Sequence, residues 1–472
     1  MKIAPAAMST AFAPCRSSPS VRPALVVVDV TPMLPGGGNG GAKWFVLALL
    51  GELVWQRPHW RWLLLTTAAN DGFLGELFPA MDRLMVIDGA GQLVLRPDPA
   101  QLPGGRRADL LYCPFTAPFH ASPMVPTVAT VYDLQFAAYP QFFSHAEAEE
   151  RAGHFFRAAQ VAERLVCISD YVRDHVRRVT CLPAQRVTRV HISLPDRLAA
   201  AGQADAAAVA ALMARLGLAA GRYLIYPANT WPHKNHTMLL TAAGIYFARH
   251  PESDLTLVCT GVSDDERGRM LRLAAERMGL AGRVRFPGFQ SEGDLAALLG
   301  NARALIFPSL FEGFGMPVLE AMAQGMPVLS ANTTSLPEIA GDAALLFDPR
   351  RPGEIVRAVE AIESDPELAP RLAAAGRLRA RALGDAASMG AGYLAVFDEV
   401  LAGERCLAGM VRRRTRKLLL VVGDCRRRIA PLRRIRRLPR WLWGRVQLAR
   451  AILGRRLPFL RALVRRLRGD LP

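Results

Sequence analysis

The sequence predicts an α/β protein with two doubly wound, Rossmann-like parallel sheets facing each other across a cleft, followed by a basic helical tail. Three observations lead there. Short apolar runs alternate with segments of helical period through most of the chain. That alternation breaks at an alanine-rich stretch, 199–211, and then starts again. Charge gathers at one end: residues 405–472 hold 22 of the 59 Lys and Arg but two of the 41 Asp and Glu, which leaves the preceding 404 residues at 37 against 39.

The first series of runs lies at 24–30, 62–67, 85–87, 110–113, 127–131 and 165–168, with a helix-like stretch at 42–54. The second lies at 223–226, 255–259, 284–286, 304–307, 327–330 and 344–347, separated by helical periods at 235–249, 264–278, 292–299, 316–324 and 353–362. Strands apolar on both faces and separated by helices form parallel sheets covered on both sides. Ligands of such sheets bind beyond the carboxyl ends of strands, so function belongs in the loops that follow strands.

Composition removes several classes. A chain of 472 residues with 51% hydrophobic content holds two to three domains of about 150 residues each. Its seven cysteines form no C-x-x-C pair and no metal-ligand spacing, which points to reduced thiols in cores. Pro5, Pro14, Pro19 and Arg16 interrupt the N-terminus where a signal peptide needs an apolar stretch, so 1–22 is expected to be a disordered lead-in. No uncharged apolar run reaches the roughly 18 residues of a membrane-spanning helix. The whole-chain pI of 10.4 belongs to the tail and not to the body.

The most specific block runs from Phe307 to Glu320. It leaves a strand end, passes Glu312, Gly313, Phe314 and Gly315, and enters a helix near Met316, which places free amides at a helix N-terminus. Lys234 follows another strand end, after Trp231 and Pro232, and sets a cation beside a helix start near Asn235. The run 36–41 satisfies G-x-G-x-x-G after a strand and before a helix, but a dinucleotide site also needs an acid at the end of the next strand, where only Asp71 is close. No Asp-x-Asp pair ends a strand, and Asp264–Asp265 reads as a helix cap, so no divalent metal is expected.

These motifs resemble the group 1 retaining glycosyltransferases of GT-B fold, whose Glu-x(7)-Glu signature is matched by Glu312 and Glu320 around Gly313-Phe314-Gly315. Thr334 to Glu338, Gly341 to Ala344, and Phe347 to Pro349 are similar to the family as well, as is the segment Tyr226 to Asn235. The resemblance covers about 24–402. It implies transfer of a sugar from a nucleotide-sugar donor with retention at the anomeric carbon, without a cofactor and to a glycan or lipid-linked acceptor. It also implies roles. Glu320 would hold the ribose, while Glu312 and the Gly313, Phe314, Gly315 and Met316 amides would hold the sugar. The backbone at Phe289 would face the base, Lys234 the leaving diphosphate, and Gly37 and Gly38 the diphosphate or acceptor across the cleft. Family members often carry arginines before the Lys; this chain has Ala228, Asn229 and His233 there, and His233 is the candidate for the second phosphate contact. Where the family commonly shows His-Asp near the reacting sugar, this chain has Tyr132-Asp133, and tyrosine is no base near neutral pH. Ser169 matches a strand-to-helix Ser that serves as a helix N-cap. The implied divisions are an acceptor-side domain at 23–200, a linker at 201–221, a nucleotide-sugar-binding domain at 222–385, a closing helix at 386–404 and the tail at 405–472.

Two other readings stay open at this point. One is a dinucleotide-dependent oxidoreductase using 36–41; the other is a non-catalytic binding protein with an arginine tail. In that tail Leu460, Leu463, Val464 and Leu467 recur at helical spacing, with Arg461, Arg465 and Arg468 off that face and Trp441 and Trp443 upstream. Such an amphipathic pattern fits an anionic membrane surface, whereas nucleic acid has no use for the apolar face. A cytoplasmic enzyme, peripheral on the inner face of the membrane, is the resulting expectation.

Overall fold

A computed structural model describes residues 23–35, 39–95, 97–193, 205–262 and 265–404. The lead-in, the basic tail, Gly37 and Gly38 lie outside the described residues. The first sheet has seven strands: β1 (Leu25–Asp29), β2 (Arg61–Thr67), β3 (Asp82–Ile87), β4 (Leu110–Cys113), β5 (Thr127–Val131), β6 (Arg164–Cys167) and β7 (Val187–Arg189), ordered β3-β2-β1-β4-β5-β6-β7. The second has six: β8 (Tyr223–Pro227), β9 (Thr256–Thr260), β10 (Val284–Gly288), β11 (Ala304–Phe307), β12 (Val328–Ala331) and β13 (Leu345–Phe347), ordered β10-β9-β8-β11-β12-β13. Every strand pairing is parallel. Val26, Val27 and Val28 are fully buried although they alternate between faces, as the doubly covered sheet requires.

The start of one strand and the whole of another escaped the sequence pattern for one reason. β3 begins at Asp82, and β7 is three residues long and includes Thr188 and Arg189; both are edge strands, with one side open to water. Polar residues are tolerated there, so apolar periodicity misses them. The alanine-rich connector also contains a helix, Ala206–Leu216, capped by Asp205 Oδ1 accepting from the Ala207 N–H (3.3 Å). Alanine is the strongest helix former, and Leu212 and Met213 supply a buried face.

The helix Ala386–Glu404 docks on the first domain, although the chain reaches it only after completing the second sheet. Tyr393 packs against Phe45 (6.0 Å between centroids) and Tyr112 (5.6 Å), and its hydroxyl meets Thr130 Oγ1 at 2.9 Å. Thr130 Oγ1 in turn meets the Tyr112 hydroxyl at 2.8 Å, so three buried polar groups satisfy one another. At the rim, Arg57 pairs with Asp398 (3.0 Å) and Arg164 with Glu399 (2.6 Å). No helix among the described residues is long and apolar enough to cross a membrane. Tyr393→Ala should lower the unfolding free energy by about 3–5 kcal/mol, through the emptied aromatic site; Tyr393→Phe should cost about 1 kcal/mol. Urea titrations of both variants measure this, and an unchanged midpoint for Tyr393→Ala would mean the helix does not dock.

Candidate functional site

In the second sheet β8 lies between β9 and β11, so the loops leaving β8 and β11 part to opposite sides and open a crevice. Those loops carry Lys234 and Glu312. After β8, Pro232–Lys234 makes one 3₁₀ turn, and Asn235, with φ 62°, swings the chain into the helix His236–Arg249. The Asn235 side-chain amide donates to the carbonyls of Pro308 (3.1 Å) and Pro349 (2.8 Å), which fixes that turn. Lys234 Nζ then reaches Glu312 Oε1 at 2.7 Å, with the two side chains 12% and 13% exposed.

The loop holding Glu312 is set by residues after β12. Thr334 Oγ1 accepts from the Glu312 N–H (3.0 Å), and Ser335 Oγ donates to the carbonyls of Glu312 (2.9 Å) and Phe314 (3.0 Å). The sequence marks this Thr-Ser pair as a motif but does not reveal what it holds. Gly315, at φ 103°, turns the loop into the helix Met316–Ala323, on which Glu320 sits half-buried one turn beyond Met316. The Phe314 side chain is buried against His191 (5.9 Å between centroids), so what it can offer a ligand is its backbone. Phe289 is 73% exposed just past β10, at the far edge of the sheet and apart from the Lys234–Glu312 pair.

The first domain closes on this loop at Gly313. A β-carbon there would overlap the Tyr132 carbonyl oxygen and stand 3.3 Å from Asp133 Cβ, so only glycine fits. Tyr132 and Asp133 thus face Glu312 and Lys234. Burial pushes the Asp133 carboxyl up; the Gln135 N–H and Arg151 pull it back, and the Glu312 charge adds to the rise. Burial also lifts the Tyr132 hydroxyl well above the usual range, and the hydroxyl has no hydrogen-bond partner among the described residues.

His233 differs from its expected part in one respect. Burial, reinforced by the Lys234 charge, pulls its ring down to about 4, so near neutral pH it can donate a hydrogen bond but brings no positive charge. The positive field on that ring also comes from Arg151 and Arg267. Arg267 lies in the first turn of the helix Glu266–Arg277, whose cap Asp265 accepts from the Gly268 N–H (2.8 Å) and from Thr230 Oγ1 (3.2 Å). A lone arginine on a helix carries no pattern, so sequence reasoning had no signal for it. Asp71, the acid a dinucleotide site would need, accepts from Thr66 Oγ1 (2.7 Å) and pairs with Arg83 (3.5 Å) inside its own domain.

A second cross-domain contact uses Glu338. Its two oxygens accept from the N–H groups of Asp170 (2.7 Å) and Tyr171 (2.9 Å) at the start of the helix Asp170–Thr180, and His191 Nε2 lies 2.7 Å away. Ser169 caps the same helix, accepting from the Val172 N–H (3.2 Å), while donating to the Gly313 carbonyl (2.7 Å). Burial favours the neutral Glu338 carboxyl, but the His191 and two backbone hydrogen bonds outweigh it and hold the group below the ordinary 4.5. Asp170, His191 and Glu338 bring ligand-type atoms within 4.8 Å of one another, yet Arg173 and Arg189 already hold Asp170 and the amides hold Glu338.

Residues 214–379 match the family described as glycosyl transferases group 1. That stretch is a group 1 glycosyl transferase domain. It contains Lys234, Glu312, the glycine loop, Glu320 and Glu338. The chain is 29% identical over 222 residues to O-antigen chain mannosyltransferase B of Escherichia coli, covering 47% of this chain and 57% of that protein. It is 27% identical over 218 residues to alpha-D-kanosaminyltransferase of Streptomyces kanamyceticus, covering 46% and 55%. The chain therefore spans little more than half the length of these relatives. Two solved structures share the fold: Anabaena Alr3699/HepE in complex with UDP and glucose (TM-score 0.61, 17% identity, 80% of this chain and 100% of that one) and WaaG, a glycosyltransferase involved in lipopolysaccharide biosynthesis (0.57, 16%, 78% and 98%). The fold of the whole body is the GT-B architecture, with the group 1 domain as its second half.

The Glu338 contact generates a prediction. A carboxyl held below its ordinary value stabilises the fold above about pH 4.5, and the gain is lost as pH falls through the folded value. Glu338→Gln should cost about 1.5–3 kcal/mol at pH 7 and progressively less below pH 4.5. Urea unfolding of both proteins at pH 7 and pH 4 checks this, and an equal cost at both would remove the charge from the account.

Proposed function

We propose that this protein transfers a hexose from a nucleotide-sugar donor to a glycan or lipid-linked acceptor, with retention at the anomeric carbon and without a divalent metal. The observation that carries the reading is the Lys234–Glu312 pair, 2.7 Å apart at the mouth of a glycine loop inside the group 1 domain. In the free enzyme Glu312 balances a buried cation. A donor diphosphate entering the crevice offers Lys234 a stronger partner and releases Glu312 toward the sugar hydroxyls. Lys234 then neutralises the charge that develops as the nucleoside diphosphate leaves. The amides of Gly313, Phe314, Gly315 and Met316 add donors at a helix N-terminus, His233 adds one neutral hydrogen bond, and Arg267 and Arg151 supply the field that His233 does not.

Glu320 takes the ribose hydroxyls in this account, the backbone at Phe289 borders the base, and Gly37 and Gly38 approach the diphosphate from the other domain. Tyr132 is too weak an acid to exist as a base near neutral pH, which fits transfer in which the leaving phosphate accepts the acceptor's proton. Asp133, beside Glu312 and Lys234, positions the acceptor side of the reacting sugar. The relatives' names, mannosyl- and kanosaminyltransferase, support a hexose donor.

Turnover measured as nucleoside diphosphate release, with UDP-, GDP- and ADP-hexoses, tests the reading. Lys234→Ala should lower kcat by about 10²–10³, or roughly 2–4 kcal/mol. Glu320→Ala should mainly raise donor KM, and EDTA should leave the rate unchanged. Near-wild-type turnover by Lys234→Ala would take the lysine out of the mechanism, and a strict metal requirement would overturn the metal-free account.

The basic tail supports a peripheral membrane role for the same enzyme. Full-length protein should sediment with vesicles containing phosphatidylserine, and a chain ending at Glu404 should stay in the supernatant. Binding should weaken with salt, since screening acts over about 8–10 Å at physiological ionic strength. Identical partitioning of the two chains would exclude the tail from membrane binding, and preference for RNA or DNA over vesicles at matched salt would redirect it to nucleic acid.

A further inference from the structure

The loops after β8 and β11 offer an anion no net charge. Lys234 and Glu312 cancel as a pair, and burial holds His233 and His236 neutral, each at about 4. The start of the β8 loop adds nothing. Ala228 is buried, and Asn229 Oδ1 accepts from the Val262 N–H (2.8 Å), which ties that side chain to the loop after β9. Thr230 completes the lacing: its N–H donates to the Val262 carbonyl (3.3 Å) and its Oγ1 to Asp265 Oδ1 (3.2 Å). The loops leaving β8 and β9 are thereby held as one surface.

The helix Glu266–Arg277 starts from this surface, and Arg267 stands half-buried in its first turn. Its Nε is buried, its two terminal nitrogens reach solvent, and none of the three has a hydrogen bond or ion pair among the described residues. The nearby acid Asp265 is already engaged by the Gly268 N–H and Thr230. A cation at the positive end of a helix is disfavoured by the dipole, and a partly desolvated guanidinium without a counterion is costly. The charge is felt at His233 and at His236, the residues on either side of Lys234. An anion arriving beside Lys234 would relieve that cost.

Strand order decides which part of a donor Arg267 meets. Across the second sheet β10, β9, β8 and β11 are successive neighbours. In the glycosyl-transfer reading the base lies by Phe289, after β10, and the sugar by Glu312, after β11. Lys234 follows β8 and Arg267 follows β9, so Arg267 stands on the nucleoside side of Lys234. We propose that the terminal N–H groups of Arg267 bind the nucleoside-side (α) phosphate of the nucleotide-sugar donor and leave the sugar-side phosphate to Lys234. The assignment rests on the glycosyl-transfer reading and gives Arg267 a direct contact. A guanidinium fork matches two oxygens of one phosphate, so two cations on adjacent loops serve two adjacent phosphates.

Calorimetric titration of the full-length chain with UMP, GMP, AMP, UDP, GDP and ADP tests the assignment. All six carry the α phosphate, but only the diphosphates reach Lys234. Arg267→Gln should weaken the preferred nucleotide about tenfold or more in both its forms, the loss expected of a hydrogen bond to a charged group. Lys234→Met combined with Glu312→Gln removes the other pair without stranding a buried charge. That double variant should weaken the diphosphate by a similar factor and leave the monophosphate within about twofold. The urea midpoint of Arg267→Gln should match the wild type, because the side chain has no partner to lose. A midpoint that falls along with the affinities would make Arg267 structural and overturn the assignment, as would unchanged affinities. So would a loss confined to diphosphates, or a wild-type chain that binds diphosphates but no monophosphate, since each leaves the α phosphate without Arg267. A wild-type chain that binds none of the six sinks the donor reading itself and this assignment with it, an outcome distinct from any failure of the variant.

Discussion

Gly313 packs against the carbonyl of Tyr132 with no room for a β-carbon, and the geometry of the candidate site depends on that approach. Gly313 belongs to the loop after β11 in the second domain; Tyr132 directly follows β5 in the first. Because two backbones meet there, Asp133 is buried within reach of the Glu312 charge, which adds to the rise of its carboxyl. Ser169 donates to the Gly313 carbonyl, and Glu338 caps the helix that Ser169 begins, so the approach is braced from two further directions. Phe311 adds an aromatic brace, edge-on to Tyr139 and Tyr171, each with centroids 5.9 Å away. Hydrogen bonds to an ionised group and well-packed rings are the stronger contacts available at a domain boundary.

The two sheets repeat one arrangement with opposite chemistry. In each, the loop after the first strand and the loop after the fourth part on either side of the switch point. The second sheet places Lys234 and Glu312 there, in contact and mutually neutralised. The first places Asp29 and His120 there, too far apart to bond directly, and one carboxylate oxygen has no partner among the described residues. A cation poised by a displaceable acid suits an anionic leaving group.

Burying Lys234 and Glu312 costs desolvation for both, and the pair recovers that cost only through close contact. Such a pair contributes little to net stability. Both partners are thereby already stripped of most of their water. The nearby histidines are held neutral by the same burial, His233 and His236 both near 4, which keeps positive charge at Lys234, Arg267 and Arg151. Histidine protonation is thereby removed as a variable around Lys234 at physiological pH.

Much of this was legible along the chain. Apolar runs buried on both faces, such as 26–28, announce a parallel sheet wherever they occur, because the requirement is local to each strand. Lys234, Glu312, Gly313 and Gly315 were legible because each sits at a fixed offset from a strand end and a helix start. Other features were not. The docking of Ala386–Glu404 on the first domain, the capping of Asp170–Thr180 by Glu338, the placement of Arg267 near His233, and the gap between Asp29 and His120 each join segments distant in sequence. Periodicity encodes which face of an element is buried, and motif spacing encodes which loop carries a group. Neither encodes which group stands opposite. By itself the sequence determined the two sheets and the loops that carry Lys234 and Glu312, since those follow from local pattern; the tertiary structure decided the partners, because partnership depends on distances that arise only when each sheet assembles and the two domains pack together.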